Sequence, residues 1–330
     1  MRKRVVLILL IFASLNLNCF NSPDRKNPLD PKSDNFENVG NVEGTIFTLY
    51  APLMPINQVE IRLQPGPFVT LTNENGNFTF RRVPVNLYEI VAQKTGYAMV
   101  KDTIQVELNK TTTVQLQMDG LPDITSFKVR SCHLERWWPQ TDLFFLEVDA
   151  NVQDPDGVND VERVWLEIPE LNFTDTLAIT QNPGVFKKQI ASTELPKNIH
   201  DLVGRKLFLM AKDRAGFEIR SEPGFLTRVI DPVPKFDSPT GNISINDATP
   251  TLAWKPITLP FSFTFKVDLF RDDQGIINLV ESIENIDPAT NTFTINQALP
   301  EGFYFWTISV VDEFGNWSRS KEASFEIVNP

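Results

Sequence analysis

Leu143-Phe144-Phe145-Leu146-Glu147-Val148-Asp149-Ala150-Asn151-Val152 carries the alternation that decides the fold class. Phe144, Leu146, Val148, Ala150 and Val152 share one face, and Glu147, Asp149 and Asn151 share the other. Successive side chains leave a pleated strand on opposite sides, so period two marks a strand with one face in a core. The same period recurs downstream at Val164, Leu166 and Ile168 and at Leu207, Leu209 and Ala211. Upstream, Ile124 to Val129 reads as a first strand of the same unit. The 24 Pro, 25 Phe and 6 Trp favour strands over helices, and no Ala- or Leu-rich periodic stretch competes.

Toward the N-terminus, alternation returns at Val42, Gly44 and Ile46, then at Val59, Ile61 and Leu63. The turn Asn73-Glu74-Asn75-Gly76-Asn77 leads into Phe78-Thr79-Phe80. Tyr88, Ile90 and Ala92 follow, then Gly96-Tyr97, then Ile104, Val106 and Leu108, and last Val114, Leu116 and Met118. About seven short strands with turns between them make one small sandwich. Toward the C-terminus, Leu252 and Trp254, then Phe263, Phe265, Val267 and Leu269, then Tyr304, Trp306, Ile308 and Val310 mark inward faces. Leu121-Pro122-Asp123 and Asp231-Pro232-Val233-Pro234 read as joints. Residues 211–221 (AKDRAGFEIRS) align without gaps to residues 310–320 (VVDEFGNWSRS). In both, Asp-x-x-Gly makes a hairpin turn, with Asp capping backbone amides and Gly taking φ > 0.

Several of these motifs resemble known families. Val42-x-Gly44-x-Ile46, Pro55-Ile56-x-x-Val59-x-Ile61, Thr72-x-x-x-Gly76-x-Phe78-x-Phe80-x-x-Val83 and Tyr88-x-Ile90-x-Ala92-x-x-x-Gly96-Tyr97 resemble the carboxypeptidase regulatory-like domain. That resemblance implies a transthyretin-like sandwich over 41–119 and a non-catalytic accessory role, with no peptidase domain beside it here. Residues 122–230 are similar to immunoglobulin-like domains. Thr249-Pro250-Thr251-Leu252-Ala253-Trp254 and Leu299-Pro300-Glu301-Gly302-Phe303-Tyr304-Phe305-Trp306 make 232–330 similar to fibronectin type III and related Ig-like repeats, where an early Trp and a late Tyr pack across the core. The expected fold is all-β: three tandem β-sandwiches, one transthyretin-like and two Ig-like, after a signal peptide and flexible tether.

Arg2, Lys3 and Arg4 precede an apolar run from Val5 to Leu15 that is too short to cross the roughly 30 Å hydrocarbon layer as a helix. With Leu15-Asn16-Leu17-Asn18-Cys19 it resembles a bacterial lipoprotein signal peptide over 1–19, although Asn18 departs from the small residue usual before the cysteine. The resemblance implies lipid on Cys19 and anchoring to a membrane. An ordinary secretory signal is the competing reading. Residues 20–40 are polar, broken by prolines and without either hydrophobic period, as in a disordered tether. About twenty residues, fully stretched, reach roughly 65–70 Å. Phe20 after Cys19, rather than Asp, resembles lipoproteins sent to the outer membrane. With Cys19 lipidated, Cys132 has no partner in the chain; a Cys19–Cys132 disulfide is the alternative.

The formal net charge is −11, and losing Arg2, Lys3 and Arg4 with the signal peptide takes it three units lower. Such a surface repels phosphate backbones and anionic lipids, which excludes nucleic acid as a partner class. His133 and His200 are the only histidines, with no His-Glu-x-x-His spacing, and no Gly-x-Ser-x-Gly elbow, Walker loop or dinucleotide fingerprint occurs. Cys132 and His133, adjacent on a strand, face opposite ways and so do not make a nucleophile and base.

Two stretches remain as candidate sites. Asp154-Pro155-Asp156-Gly157-Val158-Asn159-Asp160 gathers Asp154, Asp156 and Asp160 on one loop, the oxygen-rich start of a calcium cage, without the downstream bidentate Glu of an EF-hand. A metal-free turn between strands is the other reading. Arg136-Trp137-Trp138-Pro139 reads first as one Trp in the core and its neighbour under a loop. The alternative is an exposed aromatic platform for sugar rings or a protein partner, and Trp317 carries the same two readings. No cofactor other than calcium is implied. The expected protein is a lipid-anchored, extracytoplasmic, non-enzymatic binding or spacer protein of the bacterial envelope, with a glycan or protein partner. An accessory subunit of a polysaccharide or protein processing system is the second reading, and a hydrolase with an unrecognised site the third.

Overall fold

The computed structural model describes residues 36–328 together with Lys26, Asp30, Lys32 and Ser33. The signal sequence and Cys19 lie outside the described residues. The chain divides into two compact units, 1–120 and 121–330.

In the first unit, β1 (Val39–Thr48), β2 (Glu60–Gln64), β3 (Phe68–Leu71), β4 (Asn77–Pro84), β5 (Leu87–Gln93), β6 (Val100–Gln105) and β7 (Thr111–Met118) follow one another. They form a sheet of order β4-β1-β7 and another of order β3-β2-β5-β6. β1 runs antiparallel to β4 and parallel to β7. Val42, Ile46, Ile61, Leu63, Ile90 and Met118 are fully enclosed in this core, each worth about 1.5–3 kcal/mol of apolar burial. Buried Thr72 binds the loop before β2 to it: its Oγ1 accepts from Val59 N at 2.9 Å and donates to Ile56 O at 2.7 Å.

The tether reading needs one correction at its end. β1 starts at Val39, and Glu37 pairs with Arg82 of β4. Asn38 O accepts from Val85 N at 2.9 Å. Residues 36–40 therefore belong to the first sandwich, because pairing with the end of β4 satisfies their backbone. The strand β3 is also new, whereas Gly96-Tyr97 is a turn touching the sheet through one bridge, Tyr97 to Gly120.

In the second unit, β8 (Asp123–Leu134), β9 (Leu143–Gln153), β10 (Val161–Ile168), β11 (Phe173–Thr176), β12 (Ala178–Ile179), β13 (Val185–Ala191), β14 (Lys206–Asp213), β15 (Glu218–Arg220) and β16 (Gly224–Phe225) enclose one hydrophobic cluster. Leu146, Val148, Ala150 and Val152 of β9 line it, the face that alternation assigns. Opposite, Glu147 and Asp149 meet Arg130 of β8 and Lys187 of β13, with Arg130–Glu147 at 3.0 Å and Lys187–Asp149 at 3.1 Å.

A further cluster lies among β17 (Phe236–Ser238), β18 (Ile243–Ile245), β19 (Thr251–Trp254), β20 (Phe263–Asp273), β21 (Ile276–Ile286), β22 (Thr292–Thr294), β23 (Gly302–Asp312), β24 (Trp317–Arg319) and β25 (Ala323–Ile327). Trp254, Tyr304 and Trp306 are its largest members. The Tyr304 hydroxyl donates to Pro300 O at 2.8 Å, the corner that lets a Tyr at the start of a late strand hold the preceding loop. Trp306 Nε1 donates to Pro239 O at 2.9 Å, so the large ring is buried without an orphaned donor.

These two cores do not sit in separate bodies. β8 pairs with β24 in parallel, setting Cys132, His133 and Leu134 against Trp317, Ser318 and Arg319. One sheet thus runs β12-β13-β9-β8-β24-β23-β20-β21 through both sandwiches. The segment Asp231-Pro232-Val233-Pro234, read as a joint, lies against this seam: Ser318 Oγ donates to Pro232 O at 2.7 Å and Ser131 Oγ to Arg228 O at 2.8 Å. Asn316, 1% exposed, joins both sides. Its Oδ1 accepts from Ser131 N at 2.9 Å, and its Nδ2 donates to Thr227 Oγ1 at 2.8 Å and to Asp312 Oδ2 at 2.9 Å. Ser131, Cys132 and His133 are consequently buried on both strand faces, where period two alone expects one.

Candidate functional site

The acidic loop lies between β9 and β10. Gly157, at φ +104°, breaks the strand direction and admits a short 3₁₀ turn over Val158–Asp160. Asp154 Oδ1 accepts from Asp156 N at 2.8 Å, and Asp160 N donates to Gly157 O at 2.9 Å. Arg214 N donates to Asp160 O at 3.0 Å, which brings the loop against the turn after β14. There Asp213 Oδ1 accepts from Gly216 N at 2.7 Å and Phe217 N at 2.8 Å.

Three carboxylates converge as a result. Asp154, Asp160 and Asp213 each offer an oxygen within 4.8 Å of the others. In each, Oδ2 is buried and has no hydrogen-bond partner in the protein. Burial, with Asp160, Asp156 and Asp213 nearby, pushes the Asp154 carboxyl up to about 6. Burial and then Asp213 raise Asp160 as well. Of the residues read from sequence, Asp154 and Asp160 are brought together with a ligand that loop spacing misses. Asp156 stands beside Asp160, adding to the same negative field. Asp213 was legible only as a turn former in the repeated Asp-x-x-Gly; its pairing with a loop more than fifty residues earlier depends on β10 lying beside β14.

A second feature opens along the β8–β24 seam, a cavity of about 410 Å³ bordered by Trp317, Arg319, Arg130, Glu147, Lys266 and Glu284. Trp317 is half-buried and meets Phe145 edge to face at 5.6 Å. Arg319 keeps a buried Nε without a protein acceptor, and burial lowers its pKa. Lys266 pairs with Glu284 at 3.1 Å and Asp268 at 3.5 Å. The cavity therefore offers one aromatic side chain among fixed charges of both signs.

The core reading of the tryptophan pair is corrected. β8 ends at Leu134, so Trp137 and Trp138 lie on the following loop, where strand alternation has no hold. Both are exposed, Trp138 to 84%. Trp137 is fastened to the seam: its Nε1 donates to Glu322 O at 2.8 Å, and Lys321 Nζ lies 3.8 Å from its ring centre. Glu135 N donates to Arg319 O at 3.1 Å, so this loop borders the strand that supplies Trp317.

The thiol and the imidazoles do not meet as reacting groups. Cys132 is fully buried, and burial followed by Glu147 raises its thiol far above the usual range. His133 points the other way, stacked on Phe144 at 4.0 Å, with Nδ1 at 3.1 Å from Ile230 O and Nε2 at 3.0 Å from Asp142 Oδ2. His200 binds Asp231 at 2.7 Å and Asn198 at 2.7 Å.

Residues 42–119 match the carboxypeptidase regulatory-like domain family, the part of the chain that forms the first sandwich. Among solved structures, the chain is similar to the fibronectin(III)-like modules of Clostridium thermocellum CbhA, at 16% identity over 63% of this chain and 93% of that one, TM-score 0.29. It is also similar to the chicken CNTN1 FN1-FN3 domains, at 10% identity over 82% and 90%, TM-score 0.31. The Bacillus anthracis TIE protein is similar at 12% identity over 88% and 48%, TM-score 0.25. No curated protein matches the chain.

Proposed function

We propose that this chain is a lipid-anchored, extracytoplasmic, non-enzymatic binding protein whose second unit holds a glycan along the β8–β24 seam. The observation that carries this reading is the cavity itself, a groove that exists only because two sandwiches share one sheet, edged by Trp317; the loop bearing the exposed Trp138 starts at Glu135, bonded to Arg319 of the same strand. Aromatic faces suit the apolar faces of sugar rings, and the fixed Arg, Lys and Glu side chains around them supply hydroxyl partners. The enclosed Cys132 and the separately bonded histidines supply no nucleophile–base pair for a catalytic alternative. A protein partner is favoured instead by one specific feature: Ile276, Ile277, Leu279 and Val280 are exposed on β21, at the edge of the long sheet, where a strand can be added.

The test uses the chain with Cys19→Ala on a glycan array, beside capture from envelope extracts. Binding to a defined glycan set is expected, weakened about tenfold by Trp317→Ala or Trp138→Ala. Retention of no glycan, with a partner protein captured equally by both variants, would refute the glycan reading. The anchor is tested separately. Cys19→Ala is expected to move the protein from the detergent phase to the aqueous phase; its recovery in washed membranes would count against lipid at Cys19.

A further inference from the structure

We propose that Asp154, Asp160 and Asp213 bind one divalent cation of the calcium class, which ties the loop after β9 to the turn after β14. Asp213 is fully buried and Asp160 is 4% exposed. Each of the three carboxylates presents a buried Oδ2 with no protein partner, all within 4.8 Å. Among the described residues no lysine or arginine makes an ion pair with any of them; the nearest basic influence is Arg214, whose field reaches Asp160. Buried charge without a counter-charge is among the most costly arrangements a fold can hold.

The repeated turn supplies an internal control. Asp312 occupies the position of Asp213, and its Oδ1 does the same work, accepting from Phe314 N at 2.9 Å and Asn316 N at 2.8 Å. Its Oδ2, however, is answered by Arg228 Nε at 3.2 Å and Asn316 Nδ2 at 2.9 Å. At the equivalent of Asn316 the earlier turn carries Phe217, whose side chain has no amide to give. Where one copy answers the second oxygen with a guanidinium and a carboxamide, the other surrounds it with two more carboxylates. One unpaired guanidinium, Arg214, acts on Asp160 through its field, which leaves most of the positive charge that three carboxylates call for to come from outside the chain.

The all-carboxylate donor set points to a hard cation. Calcium holds oxygens at about 2.3–2.6 Å, so ligands across the ion stand about 5 Å apart. Magnesium at about 2.1 Å demands a tighter octahedron, and zinc prefers nitrogen and sulfur. Water and loop carbonyls complete the shell.

The full chain, stripped with chelator, is titrated with calcium chloride by calorimetry and melted in about 5 mM calcium or in EDTA, a concentration above the 10⁻⁴–10⁻³ M dissociation constants of extracellular modules. One calcium per chain is expected, with melting about 5 °C higher in calcium. Asp160→Asn and Asp213→Asn should each weaken binding at least tenfold and abolish the shift. In EDTA both should melt at or above the parent, because repulsion is relieved while the turn acceptor at position 213 is kept. Absence of both heat and shift in the parent overturns the site, as does a shift that survives in both variants.

Discussion

Asn316→Ala is expected to cost the unit of residues 121–328 about 3 kcal/mol, lowering its melting temperature by roughly 6–12 °C. The side chain makes hydrogen bonds that cross or flank the seam, buried ones with Ser131 N and Asp312 Oδ2 and a part-buried one to Thr227 Oγ1, with a longer contact from Ser131 Oγ at 3.4 Å. Truncation leaves Ser131 N and Asp312 Oδ2 buried and unanswered by it, and an orphaned buried group costs about 1–3 kcal/mol, more when charged. Arg228 still faces Asp312 at 3.2 Å, which keeps the loss from being larger. Urea unfolding followed by Trp fluorescence measures it. A loss below about 1 kcal/mol would mean that water replaces the amide and that the seam is open.

Gly44→Val is expected to destabilise the first unit by about 3 kcal/mol or more. Gly44 lies in the middle strand of its sheet, between β4 and β7. A Cβ there would stand 2.4 Å from Phe78 Cζ and 2.5 Å from Val114 O. The ring could turn, but the carbonyl belongs to the ladder with β7 and cannot retreat without breaking it. Gly96→Ala is the informative comparison. Gly96 has φ +81° and nothing within 4 Å of a new Cβ, so only the left-handed backbone penalty of about 1–2 kcal/mol applies. Equal losses in the two variants, by urea-dependent amide exchange within the first unit, which contains no Trp, would contradict a packing origin at Gly44.

Much of this architecture was legible along the chain because it is local. Alternation in β9 marked the buried face at Leu146, Val148, Ala150 and Val152, and Asp213 and Asp312 do build the turns that the repeat at 211–221 and 310–320 announces. Even the last serines of the repeat act alike: Ser221 Oγ accepts from Leu209 N at 2.9 Å and Ser320 Oγ from Ile308 N at 3.1 Å. What escaped was non-local. The parallel β8–β24 pairing joins residues far apart in sequence and leaves no periodic mark, since Ser131-Cys132-His133 reads like any strand end. The pairing of Asp213 with the Asp154 loop escaped for the same reason. Trp137 and Trp138 escaped because the strand stops at Leu134 and nothing local in the sequence marks that end.

The fused sheet makes the groove, and hydrogen exchange on the native protein tests it most directly. Amides at Cys132–Leu134 and Trp317–Arg319 are expected to exchange as slowly as those in the middle of β9 and β23, through opening of the whole unit. Exchange at these six positions as fast as in the Trp137–Trp138 loop, with β9 and β23 still protected, would show two separate sandwiches and no shared groove.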